Sequence, residues 1–253
     1  CGFETSQRRS TKDGCHQSAT DGNGSCWYHK TRYSRRTKVR LNSTLTMPCG
    51  AVLNNRIAKA AMTEGLADPL GRPTPELQRL YGIWSDGGAG LHISGNIHID
   101  AHHLERPGNV FFDGQPNEEM MDALQAWTKA ATRNGNHFWA QISHAGRQTM
   151  RAVNPHPKAP SAVKLGLPGG QFGMPVALTE DEILNLIGRF GQAALHCKNG
   201  GFTGVQIHAA HGYLISQFLS PRSNQRTDRW GGSLVNRARF LMFTLNTVRT
   251  LVG

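Results

Sequence analysis

No stretch of this sequence is apolar enough over about eighteen residues to cross a bilayer as a helix. Charge is sparse: Asp, Glu, Lys and Arg make up 18% of the chain, and Gly and Leu are frequent, which excludes disorder throughout. Cysteine is scarce and poorly arranged for cross-linking. The five cysteines are odd in number and include no CxxC pair, so they fit neither a disulfide framework nor a zinc finger. That usage suits a reducing compartment, and a cytoplasmic location is expected. Acidic side chains are outnumbered 17 to 28, for a formal charge of +11.

What is present is 253 residues, enough for one large domain or two small ones with a core that needs no disulfide. The charge is concentrated at one end. Residues 1–40 hold nine basic side chains and three acidic ones, and four of the five cysteines (Cys1, Cys15, Cys26, Cys49) precede residue 50. Residues 1–42 show no hydrophobic period and are expected to form a solvated, poorly ordered head. A basic, Ser-rich, acid-poor N-terminus resembles a mitochondrial transit peptide, although the irregular cysteines and a first residue of Cys rather than Met argue against it. Nucleic-acid binding would rest on this head alone, and no aromatic interleaving supports it.

From residue 43 onward, strand and helix patterns alternate. RIAKAA (56–61) reads as a buried strand. Thr74, Pro75 and Glu76 open a helix, as N-cap, first-turn proline and first-turn acid, with Leu77, Leu80, Tyr81 and Trp84 along one side. GLHISGN (90–96) is a second strand. A helix from about Asn117 carries Met121, Leu124, Trp127 and Ala131. HFWAQIS (137–143) is a third strand, followed by a long Pro/Gly-rich loop. Thr179 and Glu182 form a capping box for a helix buried along Ile183, Ile187, Phe190 and Ala194. GVQIHA (204–209) is the fourth strand. Ser233 opens a last helix whose expected buried stripe is Leu234, Ala238, Leu241, Leu245 and Val248. Four strand–helix units argue for an α/β fold with a parallel sheet, either open or a (β/α) barrel. Either way, chemistry belongs at the C-terminal strand ends.

Polar groups gather there. They are Thr63 after Ala61 and Met62, then Asn96, Gln141 with His144 and Arg147 beyond it, and His208, His211 and Tyr213. His208 and His211 at that spacing could ligate a metal, could donate two N–H bonds to one substrate oxygen, or could be one core and one surface histidine. A metal needs a third ligand, and no Asp or Glu is expected at these ends. Tyr213 could act as a general acid or simply pack. Gln141, inside an apolar strand, needs partners for its amide, from the backbone or from a ligand such as a pyrimidine ring. The glycine clusters at 87–90 and 166–170 read as turns.

HAGRQT (144–149), GFTGVQIHAAHGYLISQFLSPRSNQRTDRWGGS (201–233) and NRARF (236–240), with LERPGN (104–109) and LTEDEI (178–183), closely resemble the Old Yellow Enzyme family of FMN-dependent NADH:flavin oxidoreductases. The resemblance covers roughly residues 43–253. It implies a (β/α)8 TIM barrel with FMN at its C-terminal mouth. Ala61, Met62, Thr63, Asn96 and Gln141 would then contact the flavin, with Gln141 on its pyrimidine edge. His208 and His211 would hold the substrate oxygen and Tyr213 would donate a proton, while Arg147 would be structural or lie at the rim. Hydride would pass from NADH or NADPH through FMN to an electron-poor alkene. No metal is implied.

The pattern departs from the family at Ala61, where Pro is usual. Only four strand–helix units are legible before Gly253, so a partial barrel is expected, with weak FMN binding or none because the phosphate cradle of such barrels follows later strands. Its open edges could be covered by another copy of the chain. The alternatives are a non-catalytic relative acting through protein contacts and a His-based metal-dependent hydrolase.

Overall fold

A computed structural model describes residues 40–253; the expected head lies outside these residues except for positions 40–42. In chain order the elements are strands β1 (Leu45–Thr46), β2 (Val52–Leu53) and β3 (Ala58–Lys59), helix α1 (Pro75–Asp86), β4 (Leu91–His98), α2 (Glu118–Ala131), β5 (His137–Ser143), a 3-10 turn at Gly146–Gln148, β6 (Lys158–Ala159), β7 (Val176–Ala177), α3 (Glu180–Asn199), β8 (Gly204–Ile207), α4 (Leu214–Leu219) and α5 (Leu234–Val252). Strands β3, β4, β5 and β8 form one parallel sheet in that order. Each is followed by a helix, as the alternation predicts. The two-residue pairs β1–β2 and β6–β7 lie outside the main sheet.

Local chemistry sets the helix starts. Thr74, Asn117, Thr179 and Ser233 each accept a hydrogen bond from the backbone N–H three residues on. At Thr179 the box is closed by the Glu182 carboxylate, which accepts from the Thr179 N–H at 2.8 Å. Helices and strands then share one core. Phe138, Ala140 and Ile142 of β5 face it with Ile97 of β4, against Tyr81, Trp127, Ile183 and Phe190 from the helices. Tyr81, Trp127, Phe138 and Phe202 pack edge-on, tilted or stacked at centroid separations of 4.6–5.4 Å, each such pair adding about 0.5–1.5 kcal/mol beyond area burial. Successive residues alternate along β5, so Trp139 and Gln141 look toward the opposite, more open face.

Three expectations need correction. The first strand pairs only at Ala58–Lys59, because the chain leaves the sheet edge before Met62. The fourth ends at Ile207, and His208 extends it by a single N–H bond to the Ile142 carbonyl. The expected stripe of α5 is right in part: Val248 is buried and Leu241 packs against the core, but Leu234 is 65% exposed and Leu245 40% exposed, and Phe240 and Thr244 are buried in their place. Phe218 of α4 decides the rotation of α5 by stacking on Phe240 at 4.5 Å, with Arg237 Nε donating to the Leu219 carbonyl at 2.8 Å.

Candidate functional site

The C-terminal ends of β3, β4, β5 and β8 present a line of polar side chains. Register places Asn96 opposite Gln141, and Gln141 opposite Gln206, so three amides share one rung of the sheet. Gln141 Nε2 donates to Gln206 Oε1 at 2.7 Å, and its own carbonyl oxygen has no protein partner among the described hydrogen bonds. Gln206 escapes a reading by motif. Only the parallel register, which follows from non-local pairing, puts it beside Gln141. On the next strand tip, Thr63 Oγ1 lies 3.0 Å from Asn96 Oδ1 and 2.8 Å from Glu105 Oε2.

The tip of β4 is built for close approach. A side chain at Gly95 would place a Cβ 2.1 Å from Glu64 Oε2 and 2.5 Å from the Met62 carbonyl, so only glycine lets the first strand tip lie against the second. Met62 itself is 52% exposed, and Ala61 is half-buried beside it. Glu64 is tied down by a 2.5 Å hydrogen bond from the Tyr81 hydroxyl and an ion pair with Lys59.

Beyond β8 the chain makes a tight turn. His211 adopts φ +57°, a left-handed conformation that costs a non-glycine residue of order 1 kcal/mol and persists where surroundings enforce it. Gln148 Nε2 enforces it by donating to the His211 carbonyl at 2.6 Å, and Gln217 Nε2 holds the next carbonyl, that of Gly212, at 2.7 Å. Gln217 also accepts from the Arg147 N–H and donates to the Ala145 carbonyl. The turn after β5 is thereby fastened to the turn after β8. Arg147 serves this frame: its Nη1 donates to the Val163 carbonyl.

The turn gathers His208, His211 and Tyr213, with ring centroids 5.1 Å apart for the histidine pair and 4.9 Å for His208 and Tyr213. His208 Nδ1 accepts from the Ala210 N–H at 3.4 Å, which leaves the hydrogen on Nε2. Burial and then the neighbouring His211 push His208 down to about 4, so it is neutral at pH 7 and acts as a donor. Burial, followed by the charge and hydrogen bond of Glu105, pushes the Tyr213 hydroxyl upward. Thr63, Asn96, His208, His211 and Tyr213 thus meet at one end of the sheet, with Gln141 one rung neighbour away. The expectation that no acid stands at the strand ends is overturned: Glu64 and Glu105 are both there. Glu105 comes from the loop after β4, whose folding back is a tertiary event.

Among the described residues one group of three has the composition of a metal centre: Asp100, His103 and His144, whose candidate atoms lie within 4.8 Å of one another. It does not include His208 or His211. Proton placement argues against ligation. His103 Nε2 accepts from the Lys158 N–H at 3.0 Å and His144 Nδ1 from the Gly146 N–H at 3.0 Å. The other nitrogen of each ring, His103 Nδ1 at 3.1 Å from Asp100 Oδ2 and His144 Nε2 without a hydrogen-bond partner among the described residues, therefore bears a hydrogen and not a lone pair. Arg189 Nη1 reaches Asp100 Oδ2 at 3.0 Å and the His102 N–H reaches Oδ1 at 2.6 Å. The result is a carboxylate saturated with donors. A cavity of about 440 Å³ borders this group and α3; His144, expected beside Gln141 at the strand ends, lines it, whereas Thr63, Asn96, Gln141, His208, His211 and Tyr213 do not.

The chain resembles known proteins in both sequence and fold. The family described as NADH:flavin oxidoreductase / NADH oxidase matches residues 49–253. The NADH-dependent flavin oxidoreductase nadA of Aspergillus parasiticus is 40% identical over 203 residues, covering 74% of this chain and 45% of that protein. The NADH-dependent flavin oxidoreductase iliE of Hypocrea jecorina is 34% identical over 223 residues, covering 82% and 56%. Among solved structures, morphinone reductase superposes with a TM-score of 0.76 at 28% identity, covering 87% of this chain and 61% of that one. The old yellow enzyme homologue from Zymomonas mobilis gives 0.75 at 32% identity, covering 84% and 60%. The chain spans about half the length, or less, of the curated relatives it matches.

Proposed function

The chain belongs to the NADH:flavin oxidoreductase / NADH oxidase family, and from that premise we propose that its strand-tip site carries hydride from NADH or NADPH to an electron-poor alkene with the help of FMN. The four strand–helix units are of the (β/α)8-barrel type, whose chemistry lies at the C-terminal strand ends.

The residues present fit such a cofactor. The Asn96–Gln141–Gln206 rung offers donors and acceptors side by side on the open face, and the Gln141 carbonyl oxygen lacks a protein partner. A ring edge of alternating carbonyl and N–H groups would satisfy that amide, and Met62 and Thr63 would border it from the segment after β3. When bound, FMN supplies the hydride chemistry, and the protein supplies orientation and polarity. His208 Nε2–H and His211 would hold the substrate's carbonyl oxygen, on which negative charge grows as the β-carbon accepts hydride. A neutral imidazole suits this task, because it donates without surrendering its proton. Tyr213 would deliver a proton to the α-carbon.

The observation that carries this reading is the placement of a neutral His208, whose Nε2 carries the hydrogen, beside Tyr213 at the same sheet end as the amide rung. The test is enone reduction by protein loaded with FMN, followed through NADH consumption. His208→Ala should lower turnover on the order of 10²-fold while bound flavin absorbance is kept. Unchanged turnover would remove the oxygen-holding role.

A further inference from the structure

Strand β4 carries one residue more than the strand beside it. Against β5, His92 stands opposite Phe138 and Ile93 opposite Trp139, but Asn96 stands opposite Gln141 and Ile97 opposite Ile142. Three steps along β4 thus match two along β5. That is the count of a β-bulge, an irregularity that is rare between parallel strands. It reverses the parity of β4. Before the bulge an even-numbered residue, His92, lies level with Phe138 on the core face; beyond it an odd-numbered one, Ile97, lies level with Ile142 on that same face. In a regular ladder continued from His92, Asn96 would lie level with Ile142 and turn into the core. The extra residue instead brings it level with Gln141, onto the amide rung.

Side chains take up the backbone groups around the interruption. The Gln141 N–H donates to Ser94 Oγ at 3.0 Å, a hydroxyl in place of a backbone carbonyl, and Ser94 Oγ in turn donates to the Gly95 carbonyl at 2.7 Å. Pairing with β3 ends at Lys59. Beyond it the Gly95 N–H donates to the Tyr81 hydroxyl at 3.0 Å, and the Ile93 carbonyl accepts from Lys59 Nζ at 3.0 Å. Lys59 Nζ also donates to the Tyr81 hydroxyl at 3.1 Å and to Glu64 Oε1 at 3.4 Å, and Tyr81 gives its one hydrogen to that same oxygen. All three ammonium hydrogens are used, as are the donor and both lone pairs of the phenol. Tyr81 and Ser94 are fully buried, so losing either partner leaves a backbone group unpaired in the interior.

Resting on the reading that Asn96 contacts the flavin, we propose that Tyr81 and Lys59 are positioning residues for Asn96: from α1 and β3 they hold the β4 bulge that turns its amide onto the rung with Gln141. Packing alone asks only for a ring at position 81, where it meets Trp84, Trp127 and Phe138 at centroid separations of 4.8–5.2 Å. Packing alone likewise asks only for the aliphatic stem of Lys59 beside Trp84. The hydroxyl and the ammonium are what the bulge requires.

The experiment follows amide hydrogen exchange by NMR in the full chain without cofactor, and then FMN affinity by flavin fluorescence. Tyr81→Phe keeps the ring and removes the acceptor of the Gly95 N–H. Exchange at Gly95 should rise on the order of tenfold relative to the amide of Phe190 in α3, which reports global stability. Lys59→Met, which keeps the stem, should raise it as well. Tyr81→Phe should also weaken FMN binding about tenfold in the otherwise wild-type chain and less than about twofold in Asn96→Ala, because both substitutions then remove the same contact. Gly95 exchange that rises no more than exchange at Phe190 in both variants would overturn the proposal. So would an equal loss of FMN affinity with and without Asn96, the mark of a general structural effect. If Asn96→Ala binds FMN as tightly as the wild type, the flavin reading of Asn96 falls, while a raised Gly95 exchange still upholds the hold of Tyr81 and Lys59 on the bulge.

Discussion

Asp100 shows how a single carboxylate can organise a region without doing chemistry. Burial alone would raise its proton affinity, but the His103 hydrogen bond, the facing His144 ring and the His102 amide outweigh burial and hold the group well below the usual carboxylate range. A carboxyl depressed in the folded state stabilises the fold above its unfolded value, near 4, and that contribution fades as pH falls further. Asp100→Asn should therefore cost about 3 kcal/mol at pH 7 in denaturant unfolding, and the gap between wild type and variant should narrow below about pH 4. A gap independent of pH would mean that the donors around Asp100 do not stabilise its charge. Most residues of the candidate site were legible as polar interruptions of apolar strands: Thr63, Asn96, Gln141, His208, His211 and Tyr213. Glu105 and Gln206 were not, because one arrives by loop folding and the other by strand register, and neither leaves a local trace.

At the scale of elements, the helices were the easiest to read and their faces the hardest. Capping is a contact between near neighbours, so Thr74, Asn117, Thr179 and Ser233 announce themselves. The buried side of α5 was not legible, because two apolar series overlap along it. Phe218, on a helix of only six residues, selects the one containing Phe240. Such a short helix shows no period of its own. The tip of β4 is the element-level constraint on the site. Gly95→Ala would force apart the segment at Met62–Glu64 and the Asn96 strand, and should cost about 1–3 kcal/mol by thermal or denaturant unfolding. The same variant should weaken any ligand that contacts both Thr63 and Asn96. A variant as stable as the wild type would show that the close approach of these tips is not needed.

For the whole molecule, the sheet divides labour between its faces. Phe138, Ala140 and Ile142 seal one side against helices, while Gln141 and Gln206 are left toward the other. Successive side chains of a strand point to opposite faces, which produces this division, and the strand order β3-β4-β5-β8 follows the sequence. The turns after β5 and β8, bolted together through Gln217 and Gln148, then keep His208, His211 and Tyr213 near the amide rung. The proposed chemistry derives from one claim, that these four strand ends converge on one flavin. Equilibrium titration with FMN, read by quenching of flavin fluorescence, tests it most directly when wild type is compared with Gln141→Leu at matched circular dichroism. Saturable binding that weakens about tenfold in the variant, the loss of roughly one amide pairing, is the expected result. Binding that ignores the Gln141 substitution, or no binding by the wild type, would contradict it.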